Sequence, residues 1–155
     1  MTAAPENFAK IDDVLWRGAR PRPEQALWLV AQGIKSVINL ELGQEDIASF
    51  KPFLAKLDYH HLPDWEPIVA FDPSREDQHL KDFLATLRAL PHPTYVHCRD
   101  GQNRTGLASA AYELIDKGAP VDAVIAEMET YKGLWEAPDA AYLRSLAARI
   151  GEFRA

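Results

Sequence analysis

The chain has 155 residues, 47% of them hydrophobic and 26% charged, which suits one folded domain with a core rather than a disordered chain. Seventeen Lys and Arg against 23 Asp and Glu leave a net charge of −6, which argues against a general nucleic-acid or anionic-membrane binder, since those partners need a basic surface. Uncharged stretches such as Gln25–Ile34 reach ten residues, half of what a membrane span needs (about twenty). Residues 1–6 show neither a basic n-region nor an apolar h-region, and Cys98 is the only cysteine. The expectation is a single cytoplasmic domain over residues 1–155 without a disulfide, with export by a route lacking a cleavable signal left open.

In chain order, Val14–Arg17 reads as a short edge strand closed by Gly18 and the prolines that follow. Pro23–Gln32 carries Ala26, Leu27, Leu29 and Val30 at helical spacing, with Pro23 in the first turn and Gly33 just past the end. Ser36–Leu40 is a β-branched run that predicts a buried strand. Gln44–Leu57 is predicted as a helix bent or restarted at Pro52, and Tyr59–Leu62 as another strand. An irregular segment from Pro63 to Pro73 leads to a helix with Ser74 as N-cap and Leu80, Phe83, Leu84 and Leu87 as its buried stripe. Thr94–Cys98 is a strand, and Arg104–Lys117, Pro120–Lys132 and Pro138–Phe153 are helices. This alternation predicts an α/β fold of three layers, with a mostly parallel sheet of about four to five strands and helices on both faces.

The informative stretch is His97-Cys98-Arg99-Asp100-Gly101-Gln102-Asn103-Arg104-Thr105-Gly106. It reads as a strand, a tight loop and a helix N-terminus. In such a loop the backbone N–H groups of residues 99–104 form an anion cradle reinforced by the helix dipole. Arg104 adds a fork matched to phosphate oxygens. A thiol at the mouth of that cradle, Cys98, is expected as a thiolate at neutral pH, with the Thr105 hydroxyl placed to hydrogen-bond it. A nucleophile beneath a phosphate-shaped nest suits attack on phosphorus. The bland alternative is a buried structural cysteine beside a surface arginine.

These residues resemble the His-Cys-x-x-Gly-x-x-Arg-Ser/Thr-Gly signature of cysteine-dependent phosphatases at every fixed position. Sulfur-transfer domains of the rhodanese type share the lone cysteine but not usually this arginine spacing. Leu15–Pro21, Gly33–Leu40 and Tyr59–Pro63 extend the resemblance over nearly the whole chain, toward compact dual-specificity phosphatases of microbes and plants. The resemblance implies a metal-free, cofactor-free, two-step reaction. Cys98 attacks phosphorus to form a phosphocysteine while an acid protonates the leaving oxygen, and water then hydrolyses the intermediate with the same group as base.

Three aspartates compete as that acid. Asp64, in Leu62-Pro63-Asp64-Trp65, lies 34 residues before Cys98 and resembles the Pro-Asp of the family's acid loop. Asp100 sits two residues after the nucleophile, where myotubularin-like lipid phosphatases also carry an aspartate. Asp72, 26 residues upstream, reads better as a turn residue before a helix. The order is Asp64, Asp100, Asp72.

Arg17, Arg20 and Arg22 concentrate positive charge near the first strand, where further anionic groups of a substrate would be drawn, and Arg99 either greets a second phosphate or pairs with an acidic neighbour. Trp65 either stacks on a phosphotyrosine ring or packs the acid loop. His60 and His61, adjacent on a strand, point to opposite faces, and no carboxylate cluster in the sequence completes a metal site with them. His97 is expected to order the loop backbone, and His79 and His92 to lie on the surface. The reading is a phosphate monoester hydrolase. Phosphotyrosine in a protein is its first substrate, and an inositol phosphate or phosphoinositide its second. The alternative from another class is a phosphate-recognising binding module.

Overall fold

The computed structural model describes residues 3–64, 72–131 and 136–154. Five strands are present among them: β1 (Ala9–Lys10), β2 (Leu15–Ala19), β3 (Ser36–Asn39), β4 (Asp58–His61) and β5 (Thr94–Cys98). They form one sheet in the order β1-β2-β5-β3-β4, parallel throughout except for the antiparallel β1. Six α-helices accompany it: α1 (Pro23–Gln32), α2 (Ile47–Phe50), α3 (Pro73–Ala89), α4 (Asn103–Ile115), α5 (Val121–Glu129) and α6 (Glu136–Ala148).

Every residue of β2, β3 and β5 is buried, as expected for parallel strands covered on both faces. Their side chains alternate. Leu15, Ile38, Val96 and Cys98 join Leu80, Phe83, Leu84, Leu107 and Leu143 in the core beneath α3, α4 and α6. Trp16, Val37 and Tyr95 pack with Ala26, Leu29 and Phe50 beneath α1 and α2. This is the predicted three-layer α/β architecture. Its central strand, β5, ends at Cys98 and feeds α4, so the loop between them opens at the carboxyl ends of the parallel strands, where such sheets bind ligands.

Three local expectations are corrected. The strand read at Val14–Arg17 is internal, because the two-residue β1 pairs with it through Ala9 and Lys10, a contact too short to leave a periodic trace. The expected helix over Gln44–Leu57 is only the single turn of α2 followed by a 3-10 turn at Lys51–Lys56, since Pro52 has no N–H to continue the ladder. The cap of α3 is Asp72, which accepts from the Arg75 N–H, while Pro73 takes the first helical position and Ser74 donates its hydroxyl to Asp72 at 2.8 Å. Trp65, together with most of the expected acid loop (65–71), lies outside the described residues. No helix among the described residues is long and apolar enough to cross a membrane.

Candidate active site

Three successive carbonyls of the loop after Cys98 are tied back to the protein. The Arg20 N–H donates to the Arg99 carbonyl at 3.2 Å, the Asn7 side-chain amide to that of Asp100 at 2.8 Å, and the Arg17 guanidinium to that of Gly101 at 2.5 Å. In a trans peptide the N–H points opposite to the carbonyl, so the N–H groups of Asp100, Gly101 and Gln102 turn away from these partners. That is how a nest for an oxyanion is built. Gly101 allows it: its φ is +71°, and a Cβ there would stand 2.5 Å from the Gly18 carbonyl carbon and 2.6 Å from the Ala19 nitrogen. Gly101→Ala is therefore expected to lower stability by about 1–3 kcal/mol and to push the loop out of place, read by thermal unfolding and by kcat/KM on an aryl phosphate.

Alternation along β5 sends His97 to the opposite face from Cys98. Its Nε2 meets Asp46 Oδ2 at 2.8 Å, and its Nδ1 meets the Cys98 carbonyl at 3.2 Å. Asp46 also accepts from the Tyr59 hydroxyl at 2.7 Å and the Asn39 amide at 3.1 Å, so a buried polar network fixes the residue before Cys98. Cys98 itself is only 2% exposed. Thr105 is buried behind it, and its hydroxyl has no hydrogen-bond partner among the described residues.

The three aspartates have separate settings. Asp64 follows β4, is 4% exposed, and anchors its N–H on the Leu40 carbonyl. Burial pushes its carboxyl up from the ordinary 3.8, opposed by His79, a bond from Glu76, and the charges of Arg104 and Arg75. Asp100 is exposed, and its carboxylate pairs with Arg99 at 3.3 Å. Asp72 is occupied as the α3 cap.

A family model described as a DSP-PTPase phosphatase fused to NAD+ kinase matches residues 4–140. The chain belongs to this family of phosphatases. Inositol diphosphatase DSP3 of Arabidopsis thaliana is 24% identical over 148 residues, 92% of this chain and 71% of that protein. Among solved structures, TpbA of P. aeruginosa is 24% identical with a TM-score of 0.74, covering 96% of this chain and 89% of its own. A TpbA variant has been solved in complex with pTyr. The catalytic domain of the PP-IP phosphatase SIW14 from S. cerevisiae is 19% identical with a TM-score of 0.75, covering 96% and 93%. The fold is that of compact dual-specificity phosphatases, and the chain is a hydrolase of the cysteine-dependent type.

Beside the loop this phosphatase has a cleft of about 310 Å³ whose described lining includes Arg20, Arg99 and Arg104 facing Glu41, Glu45 and Asp100. The arginines read as one basic group are dispersed by the fold. Arg17 is 1% exposed, stacks 3.7 Å over the Tyr131 ring and supports the loop from beneath. Burial lowers its guanidinium below the ordinary arginine range, opposed by Tyr131, Cys98, Glu127 and Glu113. Arg20 is clamped by the Glu41 carboxylate at 2.7 Å, and Arg22 is held on the surface by Glu6 and Glu24. A register with Arg17 two places before the partner of Cys98 could have flagged its role.

His79, expected on the surface, is largely buried. Its Nε2 lies 3.0 Å from the Leu62 carbonyl, and its Nδ1 lies 3.6 Å from Asp64 Oδ2. With the fully buried Glu76 these residues form a group whose ligating atoms lie within 4.8 Å of one another. This group, which includes neither His60 nor His61, is assembled from the residues after β4 and from α3. The signal was available: Glu76 sits four residues before Leu80, on the apolar stripe of its helix.

Proposed function

We propose that the phosphatase hydrolyses single phosphate esters of the phosphotyrosine type through a phosphocysteine on Cys98, within one domain spanning residues 1–155. In this reading the N–H groups of residues 99–104 and the Arg104 guanidinium hold the transferred phosphoryl oxygens. Cys98 displaces the leaving oxygen, which takes a proton from Asp64, and Thr105 donates to the sulfur when phosphate departs. The observation that carries the substrate class is the balance of charge in the cleft. Among the described residues three arginines and three carboxylates line it, and Arg20 and Arg99 are paired with Glu41 and Asp100. Once Arg104 takes the reacting phosphate, little cationic surplus is left for additional phosphates.

A second reading, an inositol phosphate, draws support from the diphosphatase of Arabidopsis thaliana and the PP-IP phosphatase of S. cerevisiae. It requires Arg20 and Arg99 to exchange Glu41 and Asp100 for substrate. The two readings separate in kcat/KM for a phosphotyrosine peptide against an inositol pyrophosphate under one buffer condition. A preference of tenfold or more for the peptide is expected, and the reverse preference overturns the assignment.

Asp64 is favoured as the acid because burial favours its protonated form and because it lies within the field of Arg104. Asp64→Asn is expected to cut kcat on a phosphotyrosine peptide by about 10²-fold and to remove the loss of rate at high pH, where a carboxylic acid has given up its proton. The same measurement on Asp100→Asn and Asp72→Asn is expected to show smaller losses, with the high-pH limb intact. A larger loss in Asp100→Asn would move the acid into the loop.

A further inference from the structure

Asp64, Glu76 and the Nδ1 of His79 converge, and the described residues offer them almost no donors. Both carboxylate oxygens of Glu76 and the Nδ1 of His79 are buried and meet no donor among the described residues other than a proton that the cluster itself would hold. The Leu62 carbonyl can only accept, so His79 Nε2 carries the proton of that 3.0 Å contact, and Nδ1 is left 3.6 Å from Asp64 Oδ2. Two carboxyls and a ring nitrogen meeting out of solvent need protons between them. A cation would supply the charge differently, but Asp64 already lies in the field of Arg104 and Arg75. Burial first, and then the neighbouring carboxylates of Asp64, Asp139 and Asp77, oppose the ionisation of Glu76 and leave it the natural holder of a proton.

We propose that Glu76 is a positioning residue for the general acid: a neutral carboxyl that donates its proton in a hydrogen bond to Asp64 and steadies the carboxylate left after Asp64 has protonated the leaving group. The proton balance is simple. Asp64 loses one proton to the leaving oxygen and regains one from the attacking water, while Glu76 keeps its own throughout. The inference rests on the assignment of Asp64 as the acid.

The test is a set of pH–rate profiles on a phosphotyrosine peptide for wild type, Glu76→Gln, Glu76→Ala and Asp64→Asn. Glu76→Gln keeps an uncharged donor of the same shape and is expected to retain kcat within about twofold, with the high-pH limb in place. Glu76→Ala takes the donor from the Asp64 carboxylate, so the limb is expected to move to higher pH and kcat to fall about tenfold. A limb displaced to lower pH in Glu76→Gln would mean that Glu76 is anionic, and an unchanged profile in Glu76→Ala that it does not act on Asp64. Either result overturns the proposal. A limb that survives in Asp64→Asn overturns the acid assignment itself, a separate failure.

A stability measurement covers the case in which Glu76→Ala does not fold. A carboxyl held neutral in the folded state binds a proton that the unfolded chain gives up above its ordinary 4.5, so wild-type stability declines as pH rises from there. Melting of Glu76→Gln from roughly pH 5 to 8 is expected to lack that part of the decline. A decline identical to wild type would count against a neutral Glu76.

Discussion

Cys98→Ser is expected to abolish hydrolysis of phosphate esters, with a loss on the order of 10⁴-fold or more in kcat, while binding of a phosphotyrosine peptide persists. The reason lies in what surrounds the sulfur. A sulfur nucleophile needs no base held against it, but a serine hydroxyl needs one beside it. The one adjacent histidine, His97, has both ring nitrogens committed, Nε2 with Asp46 and Nδ1 with the Cys98 carbonyl, on the far side of the sheet. Single-turnover kinetics and binding of the same peptide to both proteins check the prediction. A serine variant active within tenfold of wild type would remove the phosphocysteine from the mechanism. Loss of binding together with turnover would show that the substitution had disturbed the cradle itself.

The second large effect is expected at Arg17, which touches the loop only from below. Arg17→Met keeps much of the side chain's length over Tyr131 but removes the donor to the Gly101 carbonyl. That carbonyl is then buried without its partner, at a cost of about 1–3 kcal/mol. A positive charge is also withdrawn from the neighbourhood of Cys98, where the incoming phosphate brings negative charge. Together these are expected to lower kcat/KM by about 10²–10³-fold, the scale for loss of one preorganised donor, and to lower the melting temperature. Arg20→Met is the useful contrast. Arg20 lines the cleft and is clamped by Glu41, while its loop contact is made by its backbone N–H and survives the substitution, so a loss much smaller than for Arg17 is expected. Equal losses in the two variants would show that Arg17 acts through general charge rather than through the loop.

The catalytic loop was legible in the sequence because its parts are neighbours along the chain. Cys98, Gly101, Arg104 and Thr105 fall within eight residues, and a strand, a tight turn and a helix start leave them one compact way to sit. The order of the main strands and helices was legible for the same kind of reason: Ser36–Asn39, Thr94–Cys98 and the stripe Leu80, Phe83, Leu84 and Leu87 each carry their own period. Elements whose existence depends on a partner were not. β1 is two residues long and exists because Trp16 and Arg17 lie opposite it. Asp72 rather than Ser74 caps α3 because Pro73 takes the first helical position.

By itself, then, the sequence determined the class of fold and the family, and it supplied the residues of the chemistry proposed for the loop, since each is written in local spacing and hydrophobic period. Only the tertiary structure decided which distant side chains serve that loop. Arg17 lies 84 residues from Gly101 and Asn7 lies 93 from Asp100, and β2's place beside β5 brings Arg17 beneath the loop. Asp64, Glu76 and His79 meet because the end of β4 is packed against α3, and burial there pushes the Glu76 carboxyl up from its ordinary 4.5. Local pattern records what a residue can do, whereas the dielectric around it and the partners it meets are properties of the packed whole.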